Sequence, residues 1–106
     1  MSKIINEAEF NEMMKQQGVT VIDFFADWCP PCKIMAPIFD ATSKDLAEKS
    51  NFVKINVDKD GIVAAKYRVT NIPTILIFKD GEVKDRIVGV VPQDVLKTKV
   101  LSVIQN

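Results

Sequence analysis

The stretch 19-VTVIDFFADWCPPCK-33 is the most informative part of the chain. Its first part, Val19 to Ala26, is nearly continuous in apolar residues, which is typical of a β-strand buried on both faces. Two cysteines separated by two prolines follow, and a helical pattern begins at Cys29. A Cys-x-x-Cys motif that follows a buried strand and opens a helix indicates a redox pair rather than a zinc knuckle.

The spacing of the cysteines predicts that both sulfur atoms lie on one side of the first helical turn. Cys29 and Cys32 are three positions apart, which on a helix is close enough for a disulfide bond. Cys29 lies at the helix N-terminus, where unpaired N–H groups and the helix dipole stabilise a thiolate. Cys32 lies one turn further along, so we expect it to be the more buried and less acidic cysteine.

Strand and helix patterns alternate along the whole chain. They predict strands at 3–5, 19–26, 52–57, 74–79 and 82–90, and helices after Asn6, from Cys29, over 61–67 and from about Pro92. Asn6 and Glu9 are spaced as a capping box, and Asp80-Gly81 is a strong hairpin signal. We therefore expect an α/β protein with a single mixed β-sheet of about five strands and four helices on both faces, parallel in its first part and antiparallel at the hairpin.

Length and composition exclude several classes of protein. The 106 residues predict a single domain over 1–106, and a hydrophobic content of 47% is enough for one core. The 14 basic and 14 acidic residues balance, and no basic stripe suggests a nucleic-acid partner. No apolar run approaches the ~18 residues of a membrane-spanning helix, and the N-terminus lacks the apolar core of a secretory signal. We expect a cytoplasmic monomer with no membrane or nucleic-acid partner.

Metal binding can be weighed by counting ligands. The chain has two cysteines and no histidine, whereas a structural zinc site takes four nitrogen or sulfur ligands. One chain therefore cannot build an ordinary zinc site, although a zinc or iron–sulfur site shared between two chains stays open. The absence of histidine also excludes the Cys–His and Ser–His nucleophile arrangements of many hydrolases.

Five collinear blocks resemble a known family. They are DFFADWCPPCK (23–33) followed by Ala36-Pro37, VKINVD (53–58), NIPT (71–74), FKDG (78–81) and Gly89. Together they cover essentially the whole chain, which resembles the thioredoxin family. The resemblance implies the thioredoxin-like fold and a cytoplasmic protein-disulfide reductase, which acts on disulfide-containing client proteins and is recharged by an NADPH-dependent thioredoxin reductase. It also implies that no cofactor is bound, because the redox group is the Cys29–Cys32 disulfide and NADPH is used only through the reductase.

The resemblance implies roles for the cysteines and for two charged residues. Cys29 is the nucleophile that forms a mixed disulfide with the substrate, and Cys32 resolves it. Asp23 interrupts the buried strand, where desolvation raises the pKa of a carboxyl group. Asp23 is expected to accept and return the proton of Cys32 through water, with Lys54 as its buried partner.

A second set of residues is implied to form an apolar surface that binds the substrate. Trp28 lies beside the cysteines, and the Ile72–Pro73 peptide bond is expected to be cis and to pack against them. Gly89 and its neighbours complete this surface. The docking rim, as we call it, consists of Trp28, Ile72, Pro73, Val88, Gly89 and Val90.

The chain departs from the family pattern between the cysteines. Pro30-Pro31 stands where the family usually has Gly-Pro, and Phe25 stands where a tryptophan is common. A residue before proline is pushed away from the α region, so we expect Pro30 to resist the helical conformation. Neither proline offers an N–H group, which leaves the Cys32 amide as the nearest backbone donor to the thiolate. We therefore expect a reduction potential that differs from that of family members with Gly-Pro, and either a higher or a lower value is compatible with the sequence.

Two other functions stay open from the residues. One is a disulfide oxidant or isomerase of an oxidising compartment, which the proline pair permits but the missing signal segment opposes. The other is a non-catalytic binding module that uses the same docking rim.

Overall fold

A mixed five-stranded sheet with helices on both faces forms the fold. The computed structural model describes residues 2–106. In chain order, the elements of this range are β1 (Lys3–Ile4), α1 (Glu7–Met14), β2 (Val19–Phe25), α2 (Pro30–Leu46), β3 (Ser50–Asn56), α3 (Gly61–Lys66), β4 (Thr74–Lys79), β5 (Glu82–Val88) and α4 (Gln93–Gln105). The predicted α/β class, with one mixed sheet and four helices over the described residues, is confirmed.

The strand order is β1-β3-β2-β4-β5, which puts β2 at the centre of the sheet. β3 runs parallel to β1 and β2, whereas β4 is antiparallel to β2 and β5. Every residue of β2 is buried, as expected for a strand covered on both faces. The end of this central strand leads directly to the cysteines.

Two hydrophobic cores flank the sheet, one on each face. α2 and α4 cover one face, where Met35 and Phe39 pack with Leu96 and Val100. α1 and α3 cover the other face, where Phe10 of α1 lies in one cluster with Val63 and Ala64 of α3. Because side chains alternate along a strand, neighbouring residues of β2 contribute to different cores.

Local capping and turn signals are formed as the sequence predicts. The Asn6 side chain accepts the Glu9 N–H at 2.9 Å, and the Glu9 carboxylate accepts the Asn6 N–H at 3.1 Å. Asp80 and Gly81 have φ angles of 53° and 83°, as a tight hairpin turn requires.

Some strand ends differ from the prediction. β1 ends at Ile4, and β3 begins at Ser50, ahead of the predicted Phe52. β5 ends at Val88 instead of reaching Val90, because Gly89 has a φ of 88° and turns the chain out of the extended conformation.

Candidate active site

The cysteines form a disulfide at the N-terminus of α2. Their Cα atoms are 5.2 Å apart, within the usual range for a disulfide. Cys29 is the N-cap residue of the helix, and its Sγ accepts the Cys32 N–H at 3.3 Å. The spacing prediction is confirmed, and the Cys32 amide is the backbone donor to this sulfur.

The predicted order of burial of the two cysteines is wrong. Cys29 is 2% exposed and Cys32 is 4% exposed, so both are buried in the disulfide form. They form a small hydrophobic cluster with Phe25 and Ala26, against which Ile72 packs. The carbonyl oxygen of Ile72 lies 3.8 Å from Cys29 Sγ. Cys29 is therefore covered by a loop that is distant in sequence.

The expectation that Pro30 resists the helical conformation is also wrong. α2 begins at Pro30, and the Lys33 N–H donates to the Cys29 carbonyl at 3.2 Å to close the first turn. Proline is tolerated there because the first N–H groups of a helix have no intrahelical acceptor. Pro30 and Pro31 are both exposed.

Asp23 is a buried carboxyl group at the centre of the sheet. Its side chain is 0% exposed, and neither of its oxygens receives a hydrogen bond from residues 2–106. Burial raises the pKa of Asp23 from 3.8 to about 6, with Lys54 lowering this pKa and Asp40 raising it. The carboxyl group thus lies in the desolvated environment that the sequence predicts.

Lys54 lies next to Asp23, as predicted. The two residues are opposite each other in the parallel register of β2 and β3. Lys54 Nζ lies 4.0 Å from Asp23 Oδ2, which is an ion-pair contact too long for a hydrogen bond. The same ammonium group lies 4.7 Å from the centre of the Phe25 ring. Lys54 is therefore a largely buried cation rather than a solvated strand residue.

A cleft of about 160 Å³ joins Lys54 to the second cysteine. Its lining residues are Phe25, Ala26, Asp27, Cys32, Lys33, Ala36 and Lys54. This volume is large enough for more than one water molecule. The cleft can therefore hold water between Cys32 and the ammonium group that contacts Asp23.

Two loops of the docking rim are joined close to the disulfide. The Ile72–Pro73 peptide bond is cis, as expected, and the Gly89 N–H donates to the Pro73 carbonyl at 2.8 Å. Pro73 is buried, whereas Val88 and Val90 are exposed. The loops after α3 and β5 thus meet beside the cysteines.

Trp28 is the most exposed large apolar side chain in the described part of the chain, at 67%. Its indole Nε1–H donates to Asp58 Oδ2 at 2.8 Å. Asp58 belongs to the block 53–58, but nothing in its pattern marks the residue beyond its position after a buried strand. The hydrogen bond between Asp58 and Trp28 is therefore evident only from the structure.

The described residues show neither a metal cluster nor a membrane-spanning helix. Within residues 2–106, no three His, Cys, Asp or Glu side chains are grouped so that they could hold a metal ion. None of the helices in that range combines the length and the apolar character needed to cross a bilayer.

The chemistry available to this geometry is exchange of the internal disulfide for a disulfide with another molecule. A sulfur at a helix N-terminus can leave or attack as a thiolate, and a second sulfur is held one turn away. These features define the class of thiol–disulfide oxidoreductases, to which the chain belongs.

Comparison with known proteins identifies the family within that class. The thioredoxin family model matches residues 1–102, so the chain belongs to the thioredoxin family. The thioredoxin of Mycoplasmoides gallisepticum is 37% identical over 97 residues, covering 92% of this chain and 96% of the relative. The thioredoxin of Staphylococcus saprophyticus is 40% identical over 90 residues, covering 85% of this chain and 86% of the relative.

A solved structure supports the same assignment. It comes from work on the thiol-resolving mechanism of yeast mitochondrial 1-Cys peroxiredoxin via the glutathione and thioredoxin systems. The solved chain superposes with a TM-score of 0.86 at 31% identity, covering 95% of this chain and 94% of the other.

Proposed function

We propose that this chain is a cytoplasmic protein-disulfide reductase, a single domain over residues 1–106 that acts as a monomer. The observation that carries the proposal is the Cys29–Cys32 disulfide at the N-terminus of α2, beside an apolar docking rim. An NADPH-dependent thioredoxin reductase recharges the disulfide, and disulfide-containing proteins are the clients. The likeness to bacterial thioredoxins supports this cycle.

The reaction begins with attack by Cys29. In the reduced protein, its thiolate attacks one sulfur of the client disulfide. The client disulfide bond breaks, a mixed disulfide forms on Cys29, and the released client thiolate takes up a proton. The position of Cys29 as the N-cap of α2 supports this role, because the helix N-terminus favours an anion.

Cys32 then resolves the mixed disulfide. Its thiolate attacks Cys29 Sγ, the second client thiolate leaves, and two electrons have passed from the protein to the client. The step is intramolecular, and the effective molarity of well-oriented groups can reach roughly 10⁵ M or more. The Cα separation of 5.2 Å supports this role, because it lies within the range that a disulfide bond spans.

Asp23 is the proton acceptor and donor for Cys32, with Lys54 as its partner. A carboxyl group with a pKa of about 6 is partly protonated near neutral pH and can exchange a proton there. The cleft that touches Cys32 and Lys54 supports transfer through water. Lys54 keeps the pKa of Asp23 from rising further, which maintains a fraction of the group as a base.

The docking rim binds an extended client segment beside the disulfide. Ile72 and Pro73 present a backbone edge, and Trp28, Val88, Gly89 and Val90 contribute the rest of the surface. Pro30 and Pro31 tune the reduction potential, because neither residue offers an N–H group to the sulfurs.

Turnover with purified components tests the function. We expect the protein to consume NADPH in the presence of a thioredoxin reductase and insulin, and we expect Cys29→Ser to abolish this consumption. Cys32→Ser should accumulate a mixed disulfide that mass spectrometry detects. NADPH consumption at the background rate with the unaltered protein would contradict the proposal, and so would a reduction potential well above the cytosolic glutathione potential.

A further inference from the structure

Trp28 is exposed, yet the N–H group of its indole ring has a fixed hydrogen-bond partner. The indole N–H donates to Asp58, while most of the ring faces solvent. Asp58 lies 30 positions further along the chain, in the segment between β3 and α3. The orientation of Trp28 therefore depends on how that segment is fixed.

Asn56 fixes the segment. It is the last residue of β3 and is only 5% exposed. Its Oδ1 accepts the Asp58 N–H at 3.0 Å, and its backbone carbonyl accepts the N–H groups of Lys59 and Asp60 at 3.2 and 2.9 Å. Its amide nitrogen donates to Asp27 Oδ2 at 3.4 Å, which is a longer and weaker contact.

These contacts join both segments that determine the position of the indole. Asp27 immediately precedes Trp28, and Asp58 accepts its N–H. The buried side chain of Asn56 thus contacts both Asp27, which precedes Trp28, and Asp58, which accepts the indole N–H. Besides these two partners, the Asn56 side chain has no hydrogen bond within residues 2–106.

We propose that Asn56 is a positioning residue for client docking, which acts through Asp58 to hold Trp28 in one orientation before the client arrives. The inference rests on the proposed role of Trp28 in the docking rim. Ordering a side chain during association weakens binding by a factor of roughly two to twelve. A pre-ordered Trp28 avoids that loss for a protein client, whereas a small disulfide that needs only the sulfur gains nothing from it.

Asn56→Ala is the test variant, and Thr42→Val is its matched control. Thr42 is also buried, and its side chain has one hydrogen bond, to the Ile38 carbonyl in α2 at 2.8 Å, with none to Asp27, Trp28 or Asp58. Trp28 is the only tryptophan, so fluorescence anisotropy of the reduced protein reports on this side chain alone. Reduction rate constants are measured with insulin and with hydroxyethyl disulfide, using protein reduced beforehand.

We expect Asn56→Ala to lower the anisotropy of Trp28 and to slow reduction of insulin about threefold to tenfold, the usual effect of one lost hydrogen bond. Reduction of hydroxyethyl disulfide should change less than twofold. The double variant Asn56→Asp with Asp27→Asn exchanges the donor and the acceptor of the hydrogen bond between these two residues and leaves the net charge unchanged. It should therefore restore both the anisotropy of Trp28 and the rate of insulin reduction. In a Trp28→Phe background, which lacks the indole N–H, Asn56→Ala should have no further effect on the insulin rate.

An anisotropy in Asn56→Ala equal to that of the unaltered protein overturns the inference. Equal slowing with both disulfides, or a persistent effect in the Trp28→Phe background, also overturns it. Thr42→Val should leave the ratio of the two rates unchanged at a comparable loss of stability. Failure of the proposed function looks different, because the unaltered protein would then reduce neither disulfide while the anisotropy comparison could still be made.

Discussion

Asp23→Asn should stabilise the oxidised protein at neutral pH. Burial raises the pKa of Asp23 from 3.8 to about 6, so the folded protein keeps this proton to a higher pH than the unfolded chain does. Stability from this group is therefore greatest below about pH 4, falls between about pH 4 and 6, and stays lower above that range. The charged carboxylate costs the fold about 3 kcal/mol at pH 7, at about 1.36 kcal/mol per pKa unit.

The variant carries a neutral group of the same shape. Because an amide and a protonated carboxyl lose similar hydration on burial, the gain in unfolding free energy should be about 2–3 kcal/mol at pH 7 and near zero at pH 4. Urea unfolding of the disulfide forms between pH 4 and 8 measures this difference, and the oxidised cysteines do not titrate in that range. All other titrating groups are common to both proteins, so they largely cancel in the comparison.

The control is a carboxyl that is exposed. Asp45 contacts Lys97 at 3.4 Å, and both side chains are more than two-fifths exposed, so Asp45→Asn should change stability by less than about 1 kcal/mol. A difference between Asp23→Asn and the unaltered protein that stays constant from pH 4 to 7 would refute the reasoning about desolvation.

Two further predictions concern the ion pair and the hairpin. Lys54→Met should raise the pKa of Asp23 above its value of about 6, because the ammonium group favours the carboxylate, and an unchanged or lower pKa in a carboxyl NMR titration would count against the pairing. Gly81→Ala should lower the unfolding free energy by about 1–3 kcal/mol, because Gly81 has a φ of 83° and an added Cβ would lie 2.6 Å from the Met14 carbonyl oxygen. Gly61→Ala is its control, because an added Cβ at Gly61 meets nothing within 4 Å. In the same urea experiment it should change the unfolding free energy by no more than about 0.5 kcal/mol. Equal losses in the two variants would contradict the argument that the turn at Gly81 is strained by a side chain.

Features that depend on neighbouring residues could be predicted from the sequence. The capping box of Asn6 and Glu9 and the turn at Asp80-Gly81 each require only a few adjacent positions, and both are formed. The pairing of the cysteines has the same local origin, since one helical turn fixes the distance between them. The alternation of strands and helices also gave the correct fold class.

Features that depend on distant segments could not be predicted in this way. Cys29 is covered by Ile72, which lies 43 positions further along the chain, so spacing within the motif could not reveal its burial. The contact of Asp58 with Trp28 spans 30 positions and depends on the geometry after β3. The expectation for Pro30 fails because closure of the first turn of α2 outweighs the preference of the isolated backbone.

The small cluster around the disulfide shares no buried residue with the two cores that flank the sheet. We therefore expect that opening the disulfide changes the packing of only these few side chains and leaves the two cores as they are. On this expectation, most of the molecular surface is the same in the reduced and the oxidised protein. A partner protein that binds only the reduced or only the oxidised form must therefore contact the region around the two sulfur atoms, because the rest of the surface is the same in both forms.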